Sequence, residues 1–241
     1  MINKFNYYKN FILRIKLKLF LQRFSSLYIT IQMYRYKGNR YQRKIIHPLT
    51  DITIEGFPRS ANSYSVKAFK FSNGEENYKI ATHLHAYPQV IKSVEYNKPT
   101  LLLIREPLEC ITSYAAFIAF NIGLDKFNKE HNIKWLFYEY VIYYRNLLKY
   151  KDSVVIGEFN EVLNDYGSVI KKVNTKFKTN FKEFISTKEN IETVFNTSRD
   201  HLSPSKEREQ LKKEFINQMK ELSRTKLFSE AESLYLKLSN E

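Results

Sequence analysis

The sequence predicts an α/β fold: a parallel sheet of about four to five strands, flanked by helices. Three observations carry this. Short apolar runs alternate with longer segments whose apolar residues recur at helical spacing. The predicted strands end on polar, chemically versatile residues. One of them also passes through a tight turn into a helix within about ten residues.

That last stretch is Asp51 to Phe71, DITIEGFPRSANSYSVKAFKF. Ile52, Thr53 and Ile54 make the strand, Gly56 and Pro58 break it, and from Ser63 the spacing of Tyr64, Val66, Ala68 and Phe69 is helical. Asn73 to Asn77 predicts a loop, Tyr78 to Thr82 a strand ending at His83, and Pro88 to Tyr96 a short helix. Thr100 to Ile104 (TLLLI) is wholly apolar, which predicts a central parallel strand ending on Arg105. Pro107 suits a first helical turn, and the helix runs through Phe120 with Ser113 on it. Asn132 to Tyr150 predicts a long aromatic helix, Ser153 to Ile156 a strand, and Asn160 to Phe177 another helix.

A chain of 241 residues suits one α/β domain with extensions. A hydrophobic fraction of 43% argues against disorder, and a single cysteine, Cys110, leaves no internal disulfide and favours a reducing compartment. The net charge of +14 predicts an anionic partner. Residues 1–44 hold eleven basic residues and no acidic one, interleaved with apolar ones. Arg14, Lys16 and Lys18 interrupt any membrane span, and no cleavable leader pattern follows. Two readings stand for this segment: a basic amphipathic element at an anionic membrane surface, or a helix packed on its own domain. The alternation Ile15-Lys16-Leu17-Lys18-Leu19 also permits a strand.

The turn after the first strand has the spacing of a phosphate-binding loop, with Gly56 first and Ser63 last. Ala61 stands where the second glycine belongs, Asn62 stands where the lysine belongs, and Arg59 supplies a cation inside the turn. A plain alternative is a basic turn with Ser63 as the helix cap. Arg59, His83 and Arg105 each follow a predicted strand, so a parallel sheet would bring all three to one rim, where α/β sites lie. Each also has an ordinary reading: a structural histidine, and an arginine paired with Glu106 or Glu109. His83 and His85 lack the Cys or carboxylate cluster expected of a zinc site.

Three separated segments, in order, resemble the sulfotransferases that use 3′-phosphoadenosine 5′-phosphosulfate (PAPS). Gly56 to Tyr64 (GFPRSANSY) is similar to their 5′-phosphosulfate loop, and Thr82-His83-Leu84 to the segment with their histidine base. Leu103 to Pro107 (LIREP) with Ser113-Tyr114 is similar to their 3′-phosphate segment, with Arg and Ser eight residues apart. Phe159 to Val162 and Pro204 to Arg208 resemble weaker downstream blocks of bacterial members, so the likeness spans about residues 51–215. Three positions depart from the pattern: Arg59 replaces a usual lysine, Ala61 a usual glycine, and Ala81 a lysine often found two before the histidine. Ala61 requires a turn that avoids positive φ there or tolerates it under strain.

The resemblance implies a P-loop nucleotide-kinase-like sulfotransferase domain over 49–241, with 1–48 as a basic aromatic N-terminal extension. It implies that the N–H groups of Ser60, Ala61, Asn62 and Ser63 hold the 5′-phosphate, beside Tyr64 and with the Asn62 and Ser63 side chains adding donors. Arg59 would stabilise the departing phosphate oxygen, and Arg105 with Ser113 would hold the 3′-phosphate. Arg208, or else Arg199, would close over that phosphate. His83 would take the proton of an acceptor hydroxyl, a carbohydrate or glycolipid among the options, and no metal is needed. Tyr87, Phe117, Asn121 and the loop up to Lys134 are candidates for the acceptor side. The expected setting is cytoplasmic, with peripheral contact at the inner face of a membrane.

Three rivals remain. A P-loop kinase would need a lysine at position 62, which is Asn62. A nucleic-acid module would use aromatics as stacking platforms, whereas these fall in helical core patterns. A catalytically degenerate protein of the same fold would bind without transferring.

Overall fold

The structure, a computed structural model, describes residues 11–75, 77–123, 127, 129–196, 206–222 and 225–240. Of the residues and segments singled out above, residues 1–10, Glu76, 124–126 and 128 of the loop up to Lys134, Arg199, Pro204 and Ser205 lie outside them.

Two helices open the described chain, α1 (Phe11–Gln22) and α2 (Ser25–Arg35), followed by a short 3-10 turn at Arg40–Lys44. Strand β1 (Ile52–Gly56) leads into α3 (Asn62–Asn73), β2 (Ile80–Ala81) into α4 (Tyr87–Glu95), and β3 (Thr100–Ile104) into α5 (Pro107–Ile122). Then come α6 (Lys129–Leu147), β4 (Val155–Glu158), α7 (Phe159–Asn164), α8 (Tyr166–Phe177), α9 (Lys188–Asn196), α10 (Lys206–Leu222) and α11 (Lys226–Ser239).

The four strands among the described residues are all parallel, in the order β2-β1-β3-β4. The chain leaves β1 towards one edge and returns on its other side as β3. A crevice therefore opens past the carboxyl ends of β1 and β3, the place where open α/β sheets bind ligands. Gly56 ends β1 where a β-carbon would come within 2.5 Å of the Leu103 carbonyl oxygen, so only glycine lets the two strands approach there.

Alternation along β3 shows both sheet faces to be covered. Leu102 and Ile104 pack with α5, α6, α10 and α11, including Ile111, Tyr140, Phe215 and Phe228. Leu101 and Leu103 pack on the other face with α3 and α8, including Phe69, Tyr166 and Ile170. A third cluster joins Tyr28 and Ile29 of α2 to Ile45, Ile46, Ala81 and Ala86. The N-terminal segment also covers the sheet edge, since Thr82 donates its N–H to the Lys44 carbonyl at 2.8 Å.

Several expectations need correction. The strand foreseen over Tyr78–Thr82 contracts to two residues, because past Ala81 the chain bends away to pair with Lys44. The helix foreseen over Asn160–Phe177 is two helices. Asp165 breaks it at φ −146° and caps the second, its carboxylate accepting from the Ser168 N–H. The segment that permitted a strand at Ile15–Leu19 is helical.

Candidate functional site

At the carboxyl ends of β1 and β3 lies a cleft of about 550 Å³. Arg59, Ala61, Asn62, Ser63, Tyr64, His83, Arg105, Ser113 and Arg208 all line it. Ser60 does not: it is fully buried beneath the turn, its hydroxyl 3.4 Å from Tyr144 Oη and 3.6 Å from Cys110 Sγ.

The turn after β1 is held from inside. Ser60 N–H and the Asn62 side-chain amide both donate to the Phe57 carbonyl, at 3.2 and 3.0 Å. Cys110 Sγ donates to the Pro58 carbonyl at 3.2 Å, and burial pushes its thiol up to about 12. Cys110 is thus an inert packing group. The Asn62 amide expected to serve a phosphate is instead spent on closing the turn. The helix cap is not Ser63 either: Ala61 occupies that position without a side-chain bond. Ser63 Oγ lies 3.0 Å from His83 Nε2.

Ala61 has φ 67° and Arg59 φ 72°, both left-handed. His83 and His85 are left-handed as well, at φ 57° and 50°. Four of the six non-glycine residues described with positive φ therefore surround this cleft. Each such conformation costs about 1–2 kcal/mol, and strain of this kind gathers at functional sites.

Cations dominate the cleft. Arg59 donates from Nε to Ser113 Oγ at 3.1 Å and lies 5.5 Å from the Phe117 ring. Burial, and then the charges of Arg208 and Arg105, push the Arg59 guanidinium below its ordinary value. Arg105 donates from Nη1 to the Arg59 carbonyl at 3.1 Å and from Nη2 to Glu109 at 3.2 Å. Its guanidinium stacks 3.8 Å from the Phe159 ring centroid, and its Nε is buried without a partner. Glu106 does not pair with it, because its carboxylate caps α5. Arg208 sits 5.9 Å from Phe120 and lines the cleft with Glu209 and Lys212.

On the opposite wall, His83 Nδ1 lies 2.9 Å from Thr82 Oγ1. His85 Nδ1 donates to the Gly56 carbonyl at 2.9 Å and faces Glu55 at 3.4 Å. Glu55 is wholly buried on β1 and accepts from Leu84 N–H and Gln89 Nε2 at 2.9 and 2.8 Å. Burial works against its charge. The His85 hydrogen bond, the His85 and His83 charges and the Leu84 N–H outweigh it and hold the carboxyl below the ordinary value. From α1, Lys18 donates to the His85 carbonyl at 3.0 Å and to Glu139 at 2.6 Å.

Sequence reasoning missed Glu55, Lys18, His85 as a structural partner, and Phe159 as the ring beneath Arg105. Phe159 follows β4 directly, a strand-end position that could have flagged it. Of the acceptor-side candidates, Phe117 lines the cleft. Tyr87 is buried in the core and Asn121 donates back to the Phe117 carbonyl, so neither does. Among the described residues no group of three or more His, Cys, Asp or Glu side chains could hold a metal ion. No protein-family model, curated protein or solved structure significantly matches the chain.

Proposed function

We propose that the chain is a PAPS-dependent sulfotransferase, moving a sulfuryl group to an acceptor hydroxyl, with the cleft past β1 and β3 as its active site. The observation that carries this is the convergence of Arg59, Arg105 and Arg208 on one wall with His83 on the other. The donor set suits a ligand with two separated anionic groups. The buried, unpartnered Arg105 Nε is a donor waiting for an acceptor, as a bound phosphate would provide.

Arg105 and Ser113 would hold the 3′-phosphate, with Arg208 in the same cleft to join them. The first N–H groups of α3 lack intrahelical acceptors, and the residues carrying them line the cleft; they suit the 5′-phosphate. Arg59 would stabilise charge on the departing phosphate oxygen. When bound, the donor supplies the sulfuryl group, whose sulfur gains a bond to the acceptor oxygen as its bond to the phosphate oxygen breaks. A proton on Nδ1, donated to Thr82 Oγ1 2.9 Å away, would leave His83 a lone pair on Nε2 to take the acceptor's proton. Ser63, bonded to Nε2, marks where that hydroxyl would bind.

Calorimetric titration with adenosine 3′,5′-bisphosphate, set against ATP with magnesium, tests the assignment on wild type and Arg105→Ala. Binding of the bisphosphate alone, lost in the variant, is the expected result. Preference for ATP with magnesium would favour the kinase reading. Bisphosphate binding without transfer to any hydroxyl acceptor would favour the degenerate one.

A further inference from the structure

Helix α1 buries one face and leaves the opposite face bare. Ile15, Leu19 and Gln22 pack inward. Leu13, Leu17 and Phe20 share the outer stripe, at one-turn and two-turn spacing, and are 62, 55 and 54% exposed. The Phe20 ring meets Phe24 edge-on at 6.1 Å, which extends the stripe over the turn towards Leu27. Phe24 and Leu27 are 54 and 51% exposed.

Charge borders this stripe. By helical rotation Arg14 flanks one side and Lys16 and Arg23 the other, all exposed. Residues 1–50 hold eleven basic side chains and no acidic one, so they supply +11 of the net +14. Beside the stripe, a groove of about 450 Å³ runs between α1 and α6. Lys16, Phe20, Arg23, Trp135 and Tyr138 line it, with the Lys16 ammonium 5.2 Å from the Trp135 ring centroid. Among the described residues no helix is long and apolar enough to cross a membrane.

We infer that this face docks on an anionic lipid bilayer. α1 lies in the interface plane with Leu13, Leu17, Phe20 and Phe24 inserted, and the groove receives a headgroup phosphate between Lys16 and Arg23. Apolar residues bordered by cations, with Trp and Tyr at the rim, match the headgroup boundary in both polarity and charge. A second copy of the chain would set like charges against each other. A nucleic acid would have no use for the apolar stripe between the cations. The inference does not rest on the proposed transfer chemistry.

The test is flotation of the full chain with vesicles of phosphatidylcholine alone or with about 30% phosphatidylserine, since charge contributes only on the anionic ones. Variants Leu17→Ser/Phe20→Ser and Lys16→Ala/Arg23→Ala change exposed side chains and leave Ile15, Lys18 and Leu19 in place. Wild type should float with the anionic vesicles only, and each double variant should weaken binding by about tenfold or more. Trp135 is the sole tryptophan and lines the groove, so wild-type emission should shift to the blue on anionic vesicles alone. This readout stands even where a variant fails to fold. Absence of wild-type binding, an unshifted Trp135, or full binding by a folded Leu17/Phe20 variant would overturn the inference. Capture of an oligonucleotide in place of vesicles, or self-association lost with the stripe, would overturn it as well.

Discussion

The Arg105 guanidinium holds the Arg59 carbonyl at 3.1 Å, so the residue that follows β3 grips the backbone of the turn that follows β1. Binding at one end of the cleft is thereby tied to the shape of the other. A lysine at position 105 would have one compact ammonium where the guanidinium fork now serves Arg59, Glu109 and the free Nε direction. Arg105→Lys should therefore weaken bisphosphate binding by about 10- to 100-fold, corresponding to one or two charge-assisted hydrogen bonds. Calorimetry on a variant with unchanged melting temperature checks this. Near-wild-type affinity would reduce Arg105 to a simple point charge.

His83 lies across the cleft from the arginines and should matter for turnover more than for binding. His83→Gln should lower kcat by about 10²- to 10⁴-fold, the usual contribution of a positioned base. Bisphosphate affinity should stay within about threefold. Bisphosphate release from the donor, followed with phenolic and sugar acceptors, measures the first quantity and calorimetry the second. Equal losses in both would mark His83 as a scaffold residue.

The depressed carboxyl of Glu55 makes stability depend on pH. Its folded value lies below the ordinary carboxyl value of 4.5. Its contribution is therefore present above about 4.5 and lost as pH falls through the lower folded value. At neutral pH, Glu55→Gln should cost about 1–3 kcal/mol, the range for disturbing a buried hydrogen-bonded group. Urea melts from pH 7 down to 3 should show wild type and variant converging. A constant gap would mean that the carboxylate charge is not what stabilises the fold.

Ala61 in a left-handed conformation offers a gain. Glycine there removes about 1 kcal/mol of steric cost, offset in part by the freer unfolded chain. Ala61→Gly should raise stability by a few tenths to about 1 kcal/mol in denaturant melts. A loss would mean that the methyl packing around Ala61 outweighs its backbone strain.

The fold was legible where chemistry is local. TLLLI gave β3 with no error at either end, and the strand-turn-helix at 52–69 emerged from β-branched residues, Gly56 and the change of apolar period. Ala61 had posed an open alternative, and the turn tolerates positive φ there. Side-chain direction was less legible, because it depends on partners far away in sequence. Ser60 turns inward to Tyr144, Asn62 closes its own turn, and Tyr87 joins the core. Asp165 is a polar residue within a helical apolar pattern, and only the bond of its carboxylate to the Ser168 N–H makes it the cap of a new helix. The anchoring of His83's neighbour by Glu55 and Lys18 joins residues 30 and 67 positions from His85, which no local pattern encodes.

Lys18 gives α1 a second consequence. One ammonium joins the first helix to Glu139 and to the carbonyl of His85, two residues from His83. By thermodynamic reciprocity, whatever steadies α1 in its seat also steadies the histidine turn, and a ligand that orders that turn holds the helix down in equal measure. The seating of α1 and the shape of the cleft would then share one free-energy term, carried by a side chain that does not itself line the cleft.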